Sequence, residues 1–129
     1  MPAARMDTEK HRPLPDAFSP HRTSDSTGIS VYRLQFHTAA EIAGFRTLGT
    51  APVWVAYIRL ASIREIGLDV IPDRIAATSL LPAQEGHALL PQLDSAHRDS
   101  DEVASWKRLL LSAVFQVDGP FDPPAAPRR

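Results

Sequence analysis

A chain of 129 residues has room for one hydrophobic core, because short chains bury proportionally little of their surface. Its 14 basic residues nearly offset 15 acidic ones, leaving a formal charge of −1. That removes the broad attraction by which proteins gather on polyanions, so nucleic acid is a disfavoured partner. With no cysteine, a disulfide framework, a thiolate metal site and a cysteine nucleophile are all excluded.

The start of the chain, Met1 to Pro15, has no apolar run of the kind a signal peptide needs. Nor does any stretch approach the roughly 20 apolar residues of a membrane-spanning helix. The expectation is a cytoplasmic protein that makes no membrane contact. Lys10 and Lys107 are the only lysines, and the arginine- and alanine-rich composition reads as that of a GC-rich bacterial genome. Arginine also suits two-pronged binding of phosphate or carboxylate.

Residues 1–13 are charged and aperiodic and read as a disordered tail, since they cannot bury enough to offset the entropy of ordering. Leu14 to Pro20 should lie extended over the surface with Phe18 tucked in, and Asp25 to Gly28 has loop composition. Gly28 to Phe36 reads as a strand with Tyr32, Leu34 and Phe36 on one face. Thr38 and Glu41 then have capping-box spacing, which predicts a helix to about Leu48 that Gly49 stops.

Val53 to Leu60 is the strongest strand signal, nearly all apolar and rich in branched and aromatic residues, and should be central. Ser62 and Glu65 repeat the capping-box pattern, and Gly67 is placed to end that short helix in a left-handed cap. A brief strand follows over Leu68 to Ile71, then a loop over 73–85, then a strand over His87 to Leu90. Asp94 to Asp99 reads as a polar linker.

Asp99 to Glu102 supplies an N-cap and first-turn acids for the longest helix. Its buried face should carry Val103, Trp106, Leu110, Ala113, Val114 and Val117. From Gly119 the prolines predict a disordered tail over 119–129. The fold class expected is α+β: a single domain over 14–118, a small two-layer sandwich with a mixed sheet of about four strands and helices mainly on one face.

Five histidines occur, at positions 11, 21, 37, 87 and 97, without the i, i+4 spacing of a helical metal site, so no metal and no cofactor is expected. His87 stands out because it opens a strand just after Gly86 and close to Glu85. It either caps the sheet by bonding to backbone or acts as a general acid or base in a cleft. Arg33 and Arg59 would form an anion clamp beside Tyr32 if their strands pair, and are otherwise solvated edge charges. There is no Gly-rich phosphate loop, no Gly-x-Ser-x-Gly elbow and no His-Glu-x-x-His.

Three segments, Pro15-Asp-Ala-Phe-Ser-Pro20, Gly28-Ile-Ser-Val-Tyr-Arg33 and Gly86-His-Ala-Leu-Leu90, resemble landmarks of uncharacterised small bacterial proteins. Those proteins carry Ala-Phe-x-Pro, Gly-Leu-Ser-Val and His-Ala-Leu elements in that order. The resemblance spans residues 14–91 and implies an accessory role in a toxin, mobile-element or defence setting, with no activity attached.

Two functions are expected from these features. The first is a non-enzymatic accessory module that holds a protein partner through its sheet edge or the 73–85 loop, with Trp54, Tyr57 and Trp106 as anchors if exposed. The second is a small enzyme acting on a nucleotide or other phosphorylated ligand, with Arg33 and Arg59 as clamp and His87 as acid/base.

Overall fold

The computed structural model describes residues 6–7, 12–20, 27–45 and 52–122, and among these it forms an α+β fold of three α-helices and seven short strands. The strands are β1 (Met6–Asp7), β2 (Arg12–Pro13), β3 (Ile29–Tyr32), β4 (Val53–Tyr57), β5 (Ile71–Pro72), β6 (His87–Leu90) and β7 (Gln116–Phe121). The helices are α1 (Ala39–Gly44), α2 (Leu60–Ile66) and α3 (Asp101–Ala113).

Among the described residues the expected four-stranded mixed sheet is replaced by three separate sheets, ordered β1-β2, β3-β6-β5 and β4-β7, with every pair antiparallel. The Val53 segment is a strand, with Val53 and Trp54 buried, but among the described residues its ladder partner is β7 alone. β6 holds the central place instead, flanked by β3 and β5. Composition identifies a buried strand; it does not show which strand gains two neighbours.

Both tail boundaries shift. Arg12–Pro13 pairs with Met6–Asp7, and β7 runs through Gly119 and Pro120 to Phe121. A two-stranded ribbon leaves each strand an edge outside the ladder, where a proline lacking its N–H is tolerated. The rest of the expected tails, residues 1–5, 8–11 and 123–129, lies outside the described residues.

Helix ends follow local chemistry where side chains can reach the backbone. At α1 the Thr38 hydroxyl accepts from Glu41 N–H at 3.2 Å, and Glu41 accepts from Thr38 N–H at 3.2 Å, a complete capping box. The Thr38 N–H and, at 3.1 Å, the Thr38 hydroxyl both donate to Glu41 Oε1 and hold that carboxyl below its usual range. The position at which this helix was expected to stop, Gly49, is outside the described residues. At α2 the expected box at Ser62 does not form, because the helix starts earlier, at Leu60, with Arg59 as its uncapped N-cap. Gly67 does terminate it, at φ 99°, a left-handed geometry that costs glycine no Cβ strain. Ser100 caps α3 by accepting from Val103 N–H at 3.1 Å.

The core joins α2 and α3 to one face of the β3-β6 pair: Ile29, Ile63, Leu68, Leu90, Leu93, Val103 and Leu110 are buried together. Val103 and Leu110 lie seven residues apart on one helix face and are fully buried. Sequestering a leucine of this kind stabilises the fold by about 1.5–3 kcal/mol. Phe18 packs against this cluster as expected, and Lys107 Nζ donates to Ser19 Oγ at 3.0 Å, tying the Pro15–Phe18 turn to α3. The helical face ends early, since α3 stops at Ala113; Val114 is extended and Val117 belongs to β7.

β3 is also shorter than expected. A turn over Leu34 to Phe36, closed by Phe36 N–H on the Arg33 carbonyl at 3.1 Å, leaves Leu34 and Phe36 exposed. The inward face is carried by Ile29 and Val31, so Tyr32 points the other way. No described helix is long and apolar enough to cross a membrane.

Candidate functional site

Antiparallel register decides which side chains meet. Ser30 stands opposite Leu89 and Tyr32 opposite His87, so these four share the sheet face that points away from the core, while Ala88 and Leu90 enter it. Asp73 continues β5 beside β6, its N–H bonding the His87 carbonyl at 2.9 Å. Three strands thereby place Ser30, His87 and Asp73 in one row across that face.

His87 is buried, and both ring nitrogens are engaged. Nδ1 lies 2.7 Å from the Asp73 carbonyl oxygen and 3.3 Å from its carboxylate Oδ2. A carbonyl only accepts, so Nδ1 carries the proton. In the neutral ring Nε2, 2.8 Å from Ser30 Oγ, then carries the lone pair and accepts the serine hydroxyl. The ring is edge-on to Tyr32 at 5.4 Å, Tyr32 stacks on Phe45 at 5.3 Å, and the Tyr32 hydroxyl donates to Gln84 Oε1 at 2.9 Å.

A second buried imidazole adjoins this cluster. His37 Nε2 accepts the Gly86 N–H at 2.8 Å, which puts its own proton on Nδ1, 3.8 Å from Glu41 Oε2. The chains approach so closely here that a Cβ on Gly86 would stand 2.8 Å from His37 Cδ2 and 2.9 Å from the Arg33 carbonyl oxygen. Arg33 completes the clamp: its guanidinium donates to the Glu85 carbonyl at 3.1 Å and lies 4.6 Å over the Phe36 ring.

Between its two halves the 73–85 segment is braced rather than loose. Ile75 and Gln84 form a bridge, and Arg74 Nε contacts Glu85 Oε2 at 2.6 Å. That bond holds the Glu85 carboxyl below its ordinary value and raises the Arg74 guanidinium above its own. The Thr78 hydroxyl accepts from Leu80 N–H at 3.2 Å and Leu81 N–H at 3.0 Å, and Leu80 at the tip is 83% exposed.

The sequence candidates thus part company. Tyr32, Arg33 and His87 come together, with Arg33 engaged on backbone carbonyls. Arg59 serves another part of the molecule, at the start of α2, with its guanidinium 4.3 Å over the Phe115 ring. Of the possible aromatic anchors, Trp54 is buried, Trp106 packs on the core, and the Tyr57 hydroxyl donates to Asp118 Oδ2 at 2.6 Å. That bond, with partial burial, raises the Tyr57 phenol to about 12.

His37, Ser30 and Asp73 were not singled out by sequence. The period-two alternation places Ser30 on the face of Tyr32, but only strand pairing brings His87 and Asp73 to it. Grooves of about 350 Å³ beside Ser62, Ile66 and Leu109 and about 380 Å³ beside Pro13 and Phe115 do not include this row. His11 and His21 are outside the described residues. Among the described residues no group of three or more His, Asp or Glu side chains is placed to hold a metal ion. No protein-family model matches the chain, and no match is found among curated proteins or solved structures.

Proposed function

We propose that this chain is an accessory, protein-binding module whose contact element is the braced 73–85 hairpin, acting in a bacterial toxin, mobile-element or defence setting. The observation that carries this reading is Leu80: a leucine side chain 83% exposed on a tip that is tied by a bridge, an ion pair and two hydroxyl bonds. A leucine covered by a partner contributes about 1.5–3 kcal/mol. A tip already ordered loses little further freedom on binding. Ile71, 48% exposed on the edge strand of the same sheet, extends the apolar surface.

The alternative, an enzyme holding a phosphorylated ligand between Arg33 and Arg59, finds less support. One guanidinium is spent on the Glu85 carbonyl, and the other stacks on Phe115 beside a different sheet.

The test is site-specific photocrosslinking in the native host with a benzophenone amino acid at position 80 or, as control, at the exposed helical position 112. A discrete protein adduct at 80 that is missing at 112 supports the reading. Equal or no adducts at both positions contradict it, and an adduct to nucleic acid replaces the class of partner.

A further inference from the structure

The geometry points to Ser30 as a nucleophile activated by His87, with Asp73 as the positioning residue, in a site for activated acyl esters. A serine hydroxyl is a weak nucleophile unless a neighbouring base takes its proton, and a base works only if it is held in the right tautomer. Both conditions are met in the row across β3, β6 and the end of β5. The Ser30 hydroxyl bonds His87 Nε2 at 2.8 Å, within proton-transfer reach. On the far side of the ring, the Asp73 carbonyl at 2.7 Å fixes the proton on Nδ1, and the Asp73 carboxylate at 3.3 Å faces the positive charge the ring would acquire.

Burial is graded along the row in the sense the chemistry needs. The imidazole is shielded, with 4% of its side chain exposed, while Ser30 is only partly buried on a sheet face pointing away from the core. Tyr32, itself backed by the stacked Phe45 ring, stands edge-on beside the imidazole and restricts its rotation. With Ser30 only partly buried, water is not excluded, and the fitting substrates are small acyl esters with good leaving groups.

In the reaction Ser30 Oγ attacks the ester carbonyl carbon, and its proton passes to His87 Nε2 as the Oγ–C bond forms. The C–O bond to the alcohol then breaks, and the imidazolium returns the proton to the departing oxygen. Water, deprotonated by the same imidazole, cleaves the Ser30 acyl ester to a carboxylic acid and the free hydroxyl.

The test treats the full chain with a fluorophosphonate, whose phosphorus bonds to an activated serine oxygen as fluoride leaves, and reads uptake by intact mass and the modified residue by tandem mass spectrometry. One adduct per chain, on Ser30, is expected. Ser30→Ala should abolish it. His87→Gln should slow it at least about 100-fold. The control Ser112→Ala should leave it unchanged. Asp73→Asn should slow labelling with no change in melting temperature, and Asp73→Glu should restore part of the rate, which a merely structural role would not produce. Because the readout on the unaltered chain needs no variant to fold, absence of an adduct there overturns the assignment, as does an adduct on any other serine. The hairpin tip takes no part in labelling, so either outcome leaves the crosslinking test of Leu80 independent.

Discussion

The Gly86 backbone N–H and the His37 imidazole meet at 2.8 Å across 49 residues of sequence, and this bond fastens the base of the 73–85 hairpin to the turn that follows β3. Removing the acceptor leaves a buried N–H without a partner. His37→Leu is therefore expected to destabilise the fold by about 1–3 kcal/mol in urea unfolding. Gly86→Ala should cost a similar amount, about 1–3 kcal/mol, for a different reason: the new Cβ presses on the Arg33 carbonyl oxygen at 2.9 Å, which as backbone cannot rotate away.

The two leucines at 109 and 110 separate core from surface in one step along α3. Leu110→Ala removes a fully buried side chain from the cluster that includes Ile63 and Leu90 and should cost about 2–5 kcal/mol. Leu109→Ala, at a side 46% exposed, should stay within about 0.5 kcal/mol of the unaltered protein in the same urea experiment.

Tyr57 gives a pH signature. Its folded value, about 12, lies above the ordinary 10.0 because its hydroxyl donates to the Asp118 carboxylate. The protonated phenol is the form the fold favours, so its contribution is intact below 10 and is lost as pH rises from there through about 12. Ultraviolet titration should show one tyrosine ionising near 12, and Asp118→Asn should bring it back toward 10.

The Arg74–Glu85 pair lies on the surface and braces only the hairpin. Arg74→Ala should speed limited proteolysis between residues 78 and 83 while leaving the melting temperature unchanged. In the unaltered chain the Glu85 carboxyl is held below its ordinary 4.5 by Arg74. The brace is therefore fully present above 4.5 and is lost only as pH falls through the lower folded value, with faster acid-protease cleavage of the tip as the readout.

Local chemistry was legible in the sequence, and long-range pairing was not. Thr38 with Glu41, Gly67, the helix opened by Ser100 and the strand from His87 all follow from side chains reaching their own backbone or from short hydrophobic patterns. Whether Val53 to Tyr57 is central depends on partners up to 68 residues away, as in Val53 with Phe121, and no pattern inside the segment encodes that. The polar row was only partly visible for the same reason. His87 was conspicuous, but Ser30 and Asp73 are 57 and 14 residues from it in sequence. Prolines near the end of the chain suggested a tail because they bar central strands, and β7 escapes that rule by having one ladder partner.

The hairpin clamp and the serine row rest on the same feature, two buried imidazoles each protonated on Nδ1. A long-range proton–nitrogen NMR correlation spectrum of the nitrogen-15-labelled chain reads those tautomers directly. His37 and His87 are both expected as the Nδ1–H tautomer, with the Gly86 amide protected from exchange. An Nε2–H ring at either position, or a Gly86 amide exchanging as fast as that of Leu80, contradicts the account.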